Sequence, residues 1–330
     1  MAASVQPVRA VVCPELGPLS NLRIEERPDP VPGPVQVVVE IAAAGVNYVD
    51  GLICQGRYQI KPPTPYTPGS EVAGLISAVG DGAGQWAPGD RVLVSCGAGG
   101  FASHLLVGQH QPVRVPDAID LAQAATLVQS YATALYTLTR RTHVAADEWV
   151  LVLGAGGGVG LAMIDLAKAL GAKVIAAASS KDKLAAATAI GADATIAYET
   201  DDVKARAREI SDGGVDVVVD PVGGRFAEEA LRSLRWMGRY CVVGFAAGPI
   251  PTIPLNHVLL NNRTVVGVDW GASTFRDPAG QAELVAELLT LVDAERLHPA
   301  APAERPLEDV AAVLTDLAER RVAGKVVLVP

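Results

Sequence analysis

Cysteine is scarce: the 330 residues contain four, Cys13, Cys54, Cys96 and Cys241. No two of them form a Cys-x-x-Cys pair, which excludes a clustered zinc site and a disulfide framework. Long apolar runs are missing too. Glycines break them well short of the roughly 20 residues that a membrane helix needs. The opening residues, Met1-Ala2-Ala3-Ser4-Val5-Gln6-Pro7, carry no basic start followed by an apolar run, so no secretory signal is expected there. Dense Lys/Arg clusters are absent and the net charge is −9, which argues against a nucleic-acid partner. The five histidines, His104, His110, His143, His257 and His298, show no paired metal-ligand spacing. Apolar residues, by contrast, are abundant at 50% of the chain, enough to bury a sizeable core. The length suggests two domains. A cytoplasmic globular protein acting on a small molecule is the expectation.

The middle of the chain alternates in a regular way. Trp149 to Leu153 is a short apolar run ending in glycines. Leu161 to Leu170 has helical periodicity and is closed by Gly171. Lys173 to Ala178 is a second strand, and Ser180 caps a helix running to about Ile190. Ala194 to Tyr198 is a third strand, with Thr200 as a cap for the helix to Ile210. Val215 to Val219, Arg239 to Val243 and Thr264 to Val268 complete six strands, with a helix over Arg225 to Leu234. Strands alternating with helices predict a parallel sheet covered on both faces, the doubly wound dinucleotide-binding arrangement.

The first 120 or so residues differ. Val8 to Val12, Val35 to Ile41, Val72 to Val79 and Arg91 to Val94 are short Val-rich runs between Gly and Pro turns, which predict a β-rich roll. The tail adds a helix around Leu307 to Arg320 and a strand over Gly324 to Val329. That strand is expected to return to the first domain. The predicted organisation is a β-rich domain from 1–125 and 270–330, with a nucleotide-binding domain over 126–269 inserted between.

Gly154-Ala155-Gly156-Gly157-Gly158-Val159-Gly160 follows the first of the six strands and opens a helix. Small residues there let the backbone approach a pyrophosphate, whose charge the helix N-terminus meets. The usual Gly-x-Gly-x-x-Gly is not present; the best frame is Ala155-x-Gly157-x-x-Gly160. The second strand ends at Ser179-Ser180-Lys181-Asp182-Lys183. Ser179 and Ser180 can donate to a ribose 2′-phosphate, and Lys181 or Lys183 can pair with it, which favours NADPH. Asp182 can instead accept from the 2′-hydroxyl of NADH. Ligands bind beyond the carboxyl ends of strands in such sheets, so Val222, Phe245 and Ala246 are expected as walls around the nicotinamide.

Taken together, Ala44-Gly45-Val46-Asn47-Tyr48-Val49-Asp50, Pro68-Gly69-Ser70-Glu71-Val72-Ala73-Gly74, Gly89-Asp90-Arg91-Val92, the glycine turn and Gly324-Lys325-Val326-Val327-Leu328 occur in a familiar order. The chain resembles the zinc-free quinone oxidoreductase (zeta-crystallin-like) branch of the medium-chain dehydrogenase/reductase superfamily. The resemblance spans nearly the whole chain. It implies a GroES-like catalytic domain, a Rossmann domain, an active site in the cleft between them, and a homodimer built along the outer sheet edge near Val265 to Val268. Zinc-dependent relatives carry Cys at the position of Asn47 and His at that of Ser70, so no zinc is expected.

The same resemblance assigns roles. Asn47 lies near the nicotinamide ribose and can hydrogen-bond a hydroxyl or a substrate carbonyl. Tyr58 lines the substrate pocket, where a hydroxyl donor would stabilise the oxyanion formed as hydride arrives. Lys183 and Tyr198 match groups at the 2′-phosphate and adenine. Thr133 matches a threonine near the pyrophosphate, and Arg320 an arginine reaching the cofactor. Trp270 and Gly271 resemble a segment beside the substrate cleft. The implied activity is reduction of a quinone or an α,β-unsaturated carbonyl by NADPH. Enoyl thioester reduction and a non-catalytic nucleotide-binding role are the alternatives.

Overall fold

Valine and isoleucine concentrate in the alternating segments, and those segments form two sheets in a computed structural model that describes residues 7–330. The expectation about a secretory signal rests on Met1 to Pro7, of which Met1 to Gln6 lie outside the described residues. The chain divides into two compact units, Met1–Gln129 with Ala300–Pro330, and Ser130–Pro299. Among the described residues no helix is long and apolar enough to cross a membrane.

In the central unit six strands lie in the order Ala194–Ala197, Lys173–Ala178, Trp149–Leu153, Val215–Asp220, Leu234–Val242, Thr264–Gly267. Counted along the chain this is 3-2-1-4-5-6, and every neighbouring pair is parallel. The Rossmann expectation holds. The strands are near-continuous apolar runs because helices cover the sheet. Leu151, Leu153, Ile175, Val218 and Tyr240 are buried in one cluster with Ala227, Ala230 and Leu231 of a helix.

The outer unit is the expected GroES-like β-rich body. Its main sheet runs Ala303–Pro306, Val326–Val329, Gln36–Val46, Glu71–Val79, Arg91–Ser95, Pro112–Arg114, and His104–Gly108 also pairs with Gln36–Val46. The tail strand pairs antiparallel with Gln36–Val46, setting Val326 opposite Val46. On the other side Gly45 stands opposite Glu71.

Four departures from the sequence reading bear on the site and its surroundings. A helix over Tyr48–Cys54 interrupts the β-rich stretch. At seven residues it is too short to show a helical period. Residues 121–141 wind mostly as α- and π-turns that no apolar spacing announces. The cap before the helix Val203–Ile210 is Asp202, whose Oδ1 accepts from the Ala205 amide at 2.7 Å. Thr200 instead bonds Asp201. Finally, the helix Pro278–Asp293 falls in the central unit, which continues to Pro299 and past the expected boundary at 269/270. Trp270, buried and donating from Nε1 to Gln281 at 2.9 Å, ties the start of that segment into the core.

Candidate active site

The glycine turn packs so tightly that only hydrogen fits at its key positions. A Cβ on Gly160 would stand 2.3 Å from the Gly154 carbonyl oxygen and 2.8 Å from the Ala155 Cα. Helix and strand therefore touch through backbone. Ala155 is fully buried, and its amide donates to the Ala177 carbonyl at 3.0 Å. Gly157 is the residue before the helix Gly158–Ala169, and among the described residues no side chain caps that helix. The first amides at Gly158 and Val159 thus keep their capacity for an anion.

Neighbouring side chains complete the cradle. The stem of Lys183 lies on the turn, since a Cβ on Gly156 would meet its Cβ at 2.4 Å. The Tyr198 hydroxyl accepts from the Gly154 amide at 2.8 Å, and its ring stacks on Phe226 with centroids 4.2 Å apart. The Arg225 guanidinium also lies over the Phe226 ring, 4.7 Å from its centroid. Ser179 and Ser180 are exposed, and Ser180 Oγ accepts from the Lys183 amide as the helix cap. Accepting there leaves its hydroxyl hydrogen for a ligand. Asp182 and Lys181 are exposed in the first turn of the same helix. A buildable phosphate cradle with a lysine stem laid on it fits an adenine dinucleotide.

Val222 closes the other side: its Cγ2 lies 2.7 Å from where a Gly154 Cβ would be. The Ala246 amide bonds the Pro221 carbonyl and the Ala247 amide bonds that of Val222, which holds the 221–222 and 244–248 loops side by side. Phe245, partly exposed, stands 2.9 Å from where a Gly223 Cβ would be. Asp220, whose role the sequence reading missed, holds this turn. Its Oδ1 accepts from Val222 and Gly223, and Tyr240 donates to Oδ2. Burial pushes its carboxyl up, opposed by these donors. Thr133 lies half-buried in the short helix Thr133–Leu135 of the same unit.

The remaining candidates belong to the outer unit. Asn47 precedes the helix Tyr48–Cys54, and its amide N–H donates to Asp50 at 2.8 Å. Its side chain is held at both ends: Nδ2 donates to Glu71 Oε1 at 2.9 Å, and Oδ1 accepts from Lys325 Nζ at 2.6 Å. Lys325 also donates to Glu71 Oε1 at 3.1 Å, and the Gln129 amide donates to Oε2 at 2.8 Å. Glu71 is only 1% exposed and the Lys325 side chain 13%. Tyr58 is half-buried in the loop after the helix. Arg320 follows the helix Val310–Ala318 with a φ of +60°, while the adjacent Arg321 is tied to Asp316 and Glu319. Sequence reasoning missed the roles of Glu71, Lys325 and Asp50. Glu71 and Lys325 were visible only as motif letters 254 residues apart. Among the described residues no three His, Cys, Asp or Glu side chains converge as a metal site would require.

Asp50 makes a titration prediction. It is buried, and burial, helped by the Glu71 charge, pushes its carboxyl up to about 7 against the pull of the Asn47 amide. With its folded value above the ordinary 3.8, the folded chain keeps a proton that the unfolded chain has lost. Its contribution is therefore fully present below about pH 4 and is lost as pH rises toward 7. The Asp50→Asn variant is expected to flatten that slope in denaturant unfolding measured across the window. An unchanged slope would remove Asp50 as its source.

Comparison with known proteins agrees with this geometry. Residues 33–117 match the alcohol dehydrogenase GroES-like domain and residues 158–286 the zinc-binding dehydrogenase family. A quinone oxidoreductase-like protein 2 homolog from Nematostella vectensis is 38% identical over 97% of this chain and 88% of its own. The solved quinone oxidoreductase of Pseudomonas syringae pv. Tomato superposes with a TM-score of 0.89 at 30% identity, covering 98% of this chain and all of the other. The Escherichia coli quinone oxidoreductase complexed with NADPH gives 0.88 at 29% identity with the same coverage. With a GroES-like sheet, a 3-2-1-4-5-6 nucleotide-binding sheet and relatives matched along almost their full length, the chain belongs to the quinone oxidoreductase branch of the medium-chain dehydrogenase/reductase superfamily.

Proposed function

We propose that this chain is a zinc-independent, NADPH-dependent oxidoreductase that reduces a quinone or an α,β-unsaturated carbonyl by hydride transfer. The observation that carries the reading is the glycine turn, latched by Tyr198 and overlaid by the Lys183 stem at the carboxyl ends of the parallel strands. The bound dinucleotide supplies the hydride. Gly156, Gly157, Gly158 and Val159 would present backbone to its pyrophosphate, and Thr133 is assigned to the same end of the cofactor. Ser179, Ser180, Lys183 and Tyr198 hold the 2′-phosphate end. Val222, Phe245 and Ala246 wall the nicotinamide, and Arg320 reaches the cofactor. Asn47 and Tyr58 present hydrogen-bond donors to oxygen on the ribose or on the acceptor, and it is the acceptor oxygen on which negative charge develops as hydride arrives. NADPH oxidation tested with 1,4-naphthoquinone, an enone, an enal and crotonyl-CoA checks this. Turnover of the quinone or the enone supports the reading. Turnover of crotonyl-CoA alone makes the chain an enoyl thioester reductase, and no turnover at all favours a non-catalytic binder.

The functional form proposed is a cytoplasmic homodimer. The strand Thr264–Gly267 ends the parallel sheet with one edge unpaired among the described residues, and a second copy can extend it. Trp236, Met237, Leu259, Leu260 and Val265 are exposed on and near this edge, where the Met237 amide bonds the Asn261 carbonyl. Light scattering is expected to give twice the chain mass for the parent protein and a single chain mass for Val265→Lys. A monomeric parent would refute the dimer.

A further inference from the structure

We propose that Lys325 and Glu71 are positioning residues that lock the Asn47 side-chain amide in one of its two orientations and present its second N–H hydrogen to a ligand oxygen. The inference rests on the proposed function for what that hydrogen does, but the lock itself stands on geometry. Three strand ends of one sheet deliver the parts. Asn47 follows the strand Gln36–Val46, Glu71 opens the strand opposite it, and Lys325 precedes the tail strand, whose Val326 faces Val46. Gly45 makes room, since a Cβ there would stand 2.7 Å from Glu71 Oε1.

An asparagine amide has one acceptor end and one donor end. Here the acceptor end meets an ammonium at 2.6 Å and the donor end meets a carboxylate at 2.9 Å. Rotating the amide by half a turn would set N–H groups against the ammonium and the carbonyl oxygen against the carboxylate. Both contacts would become repulsive in a setting where little water screens them. The two charged partners therefore fix the amide where an uncharged pair would only favour it. The ammonium also draws electron density toward Oδ1, which makes the amide hydrogens better donors. Glu71 takes one hydrogen, and among the described residues no bond takes the second. A ligand meeting that hydrogen must offer an acceptor: a carbonyl, a hydroxyl oxygen or a developing oxyanion. Lys325 and Glu71 thus set the polarity of the contact through Asn47.

Two readouts test this. The first is the side-chain NH2 pair of Asn47 in a nitrogen–proton NMR spectrum of the full chain, assigned by its loss in Asn47→Ala. One proton is expected far downfield of the other, and Lys325→Met is expected to collapse the difference, while Lys325→Arg retains it. The second is a cycle in kcat/KM for NADPH oxidation with 1,4-naphthoquinone. Asn47→Ala is expected to lower kcat/KM by at least about tenfold, chiefly in kcat. Lys325→Met with Glu71→Gln, a pair that leaves no unpaired charge to unfold the sheet, is expected to do the same. Adding that pair to Asn47→Ala is expected to change nothing further, because the pair acts through Asn47. Multiplying effects, or an Asn47 NH2 pair indifferent to Lys325→Met, would overturn the proposal. If none of the acceptors supports NADPH oxidation by the parent, the proposed function fails, and the NMR experiment still decides the lock.

Discussion

Replacing Gly160 by alanine is expected to weaken NADPH binding between about fivefold and about 150-fold and to destabilise the central unit. The new methyl would stand 2.3 Å from the Gly154 carbonyl oxygen, and backbone, unlike the end of a flexible side chain, cannot swing aside. The Gly154 amide is bonded to Tyr198 and the Ala155 amide to Ala177, so the turn is pinned on both sides of the clash. Overpacking of this kind costs roughly 1–3 kcal/mol. If the helix start moves to relieve it, the amides at Gly158 and Val159 leave the position proposed to meet the pyrophosphate. Expressed wholly in binding, that energy corresponds to the stated range, at about 1.4 kcal/mol per factor of ten. Titration of protein against NADPH fluorescence measures it. A Kd within about twofold of the parent, with unchanged unfolding, would show that the turn is looser than its contacts indicate.

Removing Glu71 is expected to cost more. Glu71→Ala leaves the Lys325 ammonium largely buried with no carboxylate, and it strips an acceptor from the Asn47 side chain and from the Gln129 amide. Breaking one member of a buried ion pair typically costs about 3–5 kcal/mol, because the surviving charge is uncompensated. Adding Lys325→Met to Glu71→Ala is expected to restore part of that loss by removing the stranded charge. Denaturant unfolding of the two variants measures both effects. A loss under about 1 kcal/mol for Glu71→Ala would mean that water reaches the pair freely.

Much of the fold was legible because it is written locally. The strands Val8–Val12, Trp149–Leu153 and Lys173–Ala178 coincide with their apolar runs, and positive-φ glycines close two helices at Gly171 and Gly191. Elements that depend on distant partners were not legible. The helix Tyr48–Cys54 has about two turns of sequence in which to show a period of 3.6, and Asn47 and Asp50 define it by capping rather than by apolar spacing. The end of the central unit was missed because nothing in residues 270–299 marks which sheet their helix covers. The two halves of the candidate site differ in the same way. Glycines and small polar residues of the cofactor cradle lie within a few positions of strand ends, so their spacing is readable. Asn47 was readable as a residue type, but its clamp was not. Lys325 reaches it across 278 positions through strand pairing alone.

The central claim, an oxidoreductase that runs on NADPH, is tested most directly by the ratio of kcat/KM for NADPH to that for NADH, measured with 1,4-naphthoquinone as acceptor. Ser179, Ser180, Lys183 and Tyr198 predict a ratio well above one, at least about ten, as expected for charge-assisted contacts to the 2′-phosphate. A ratio below one would contradict the account and point to Asp182 as a partner of the ribose 2′-hydroxyl.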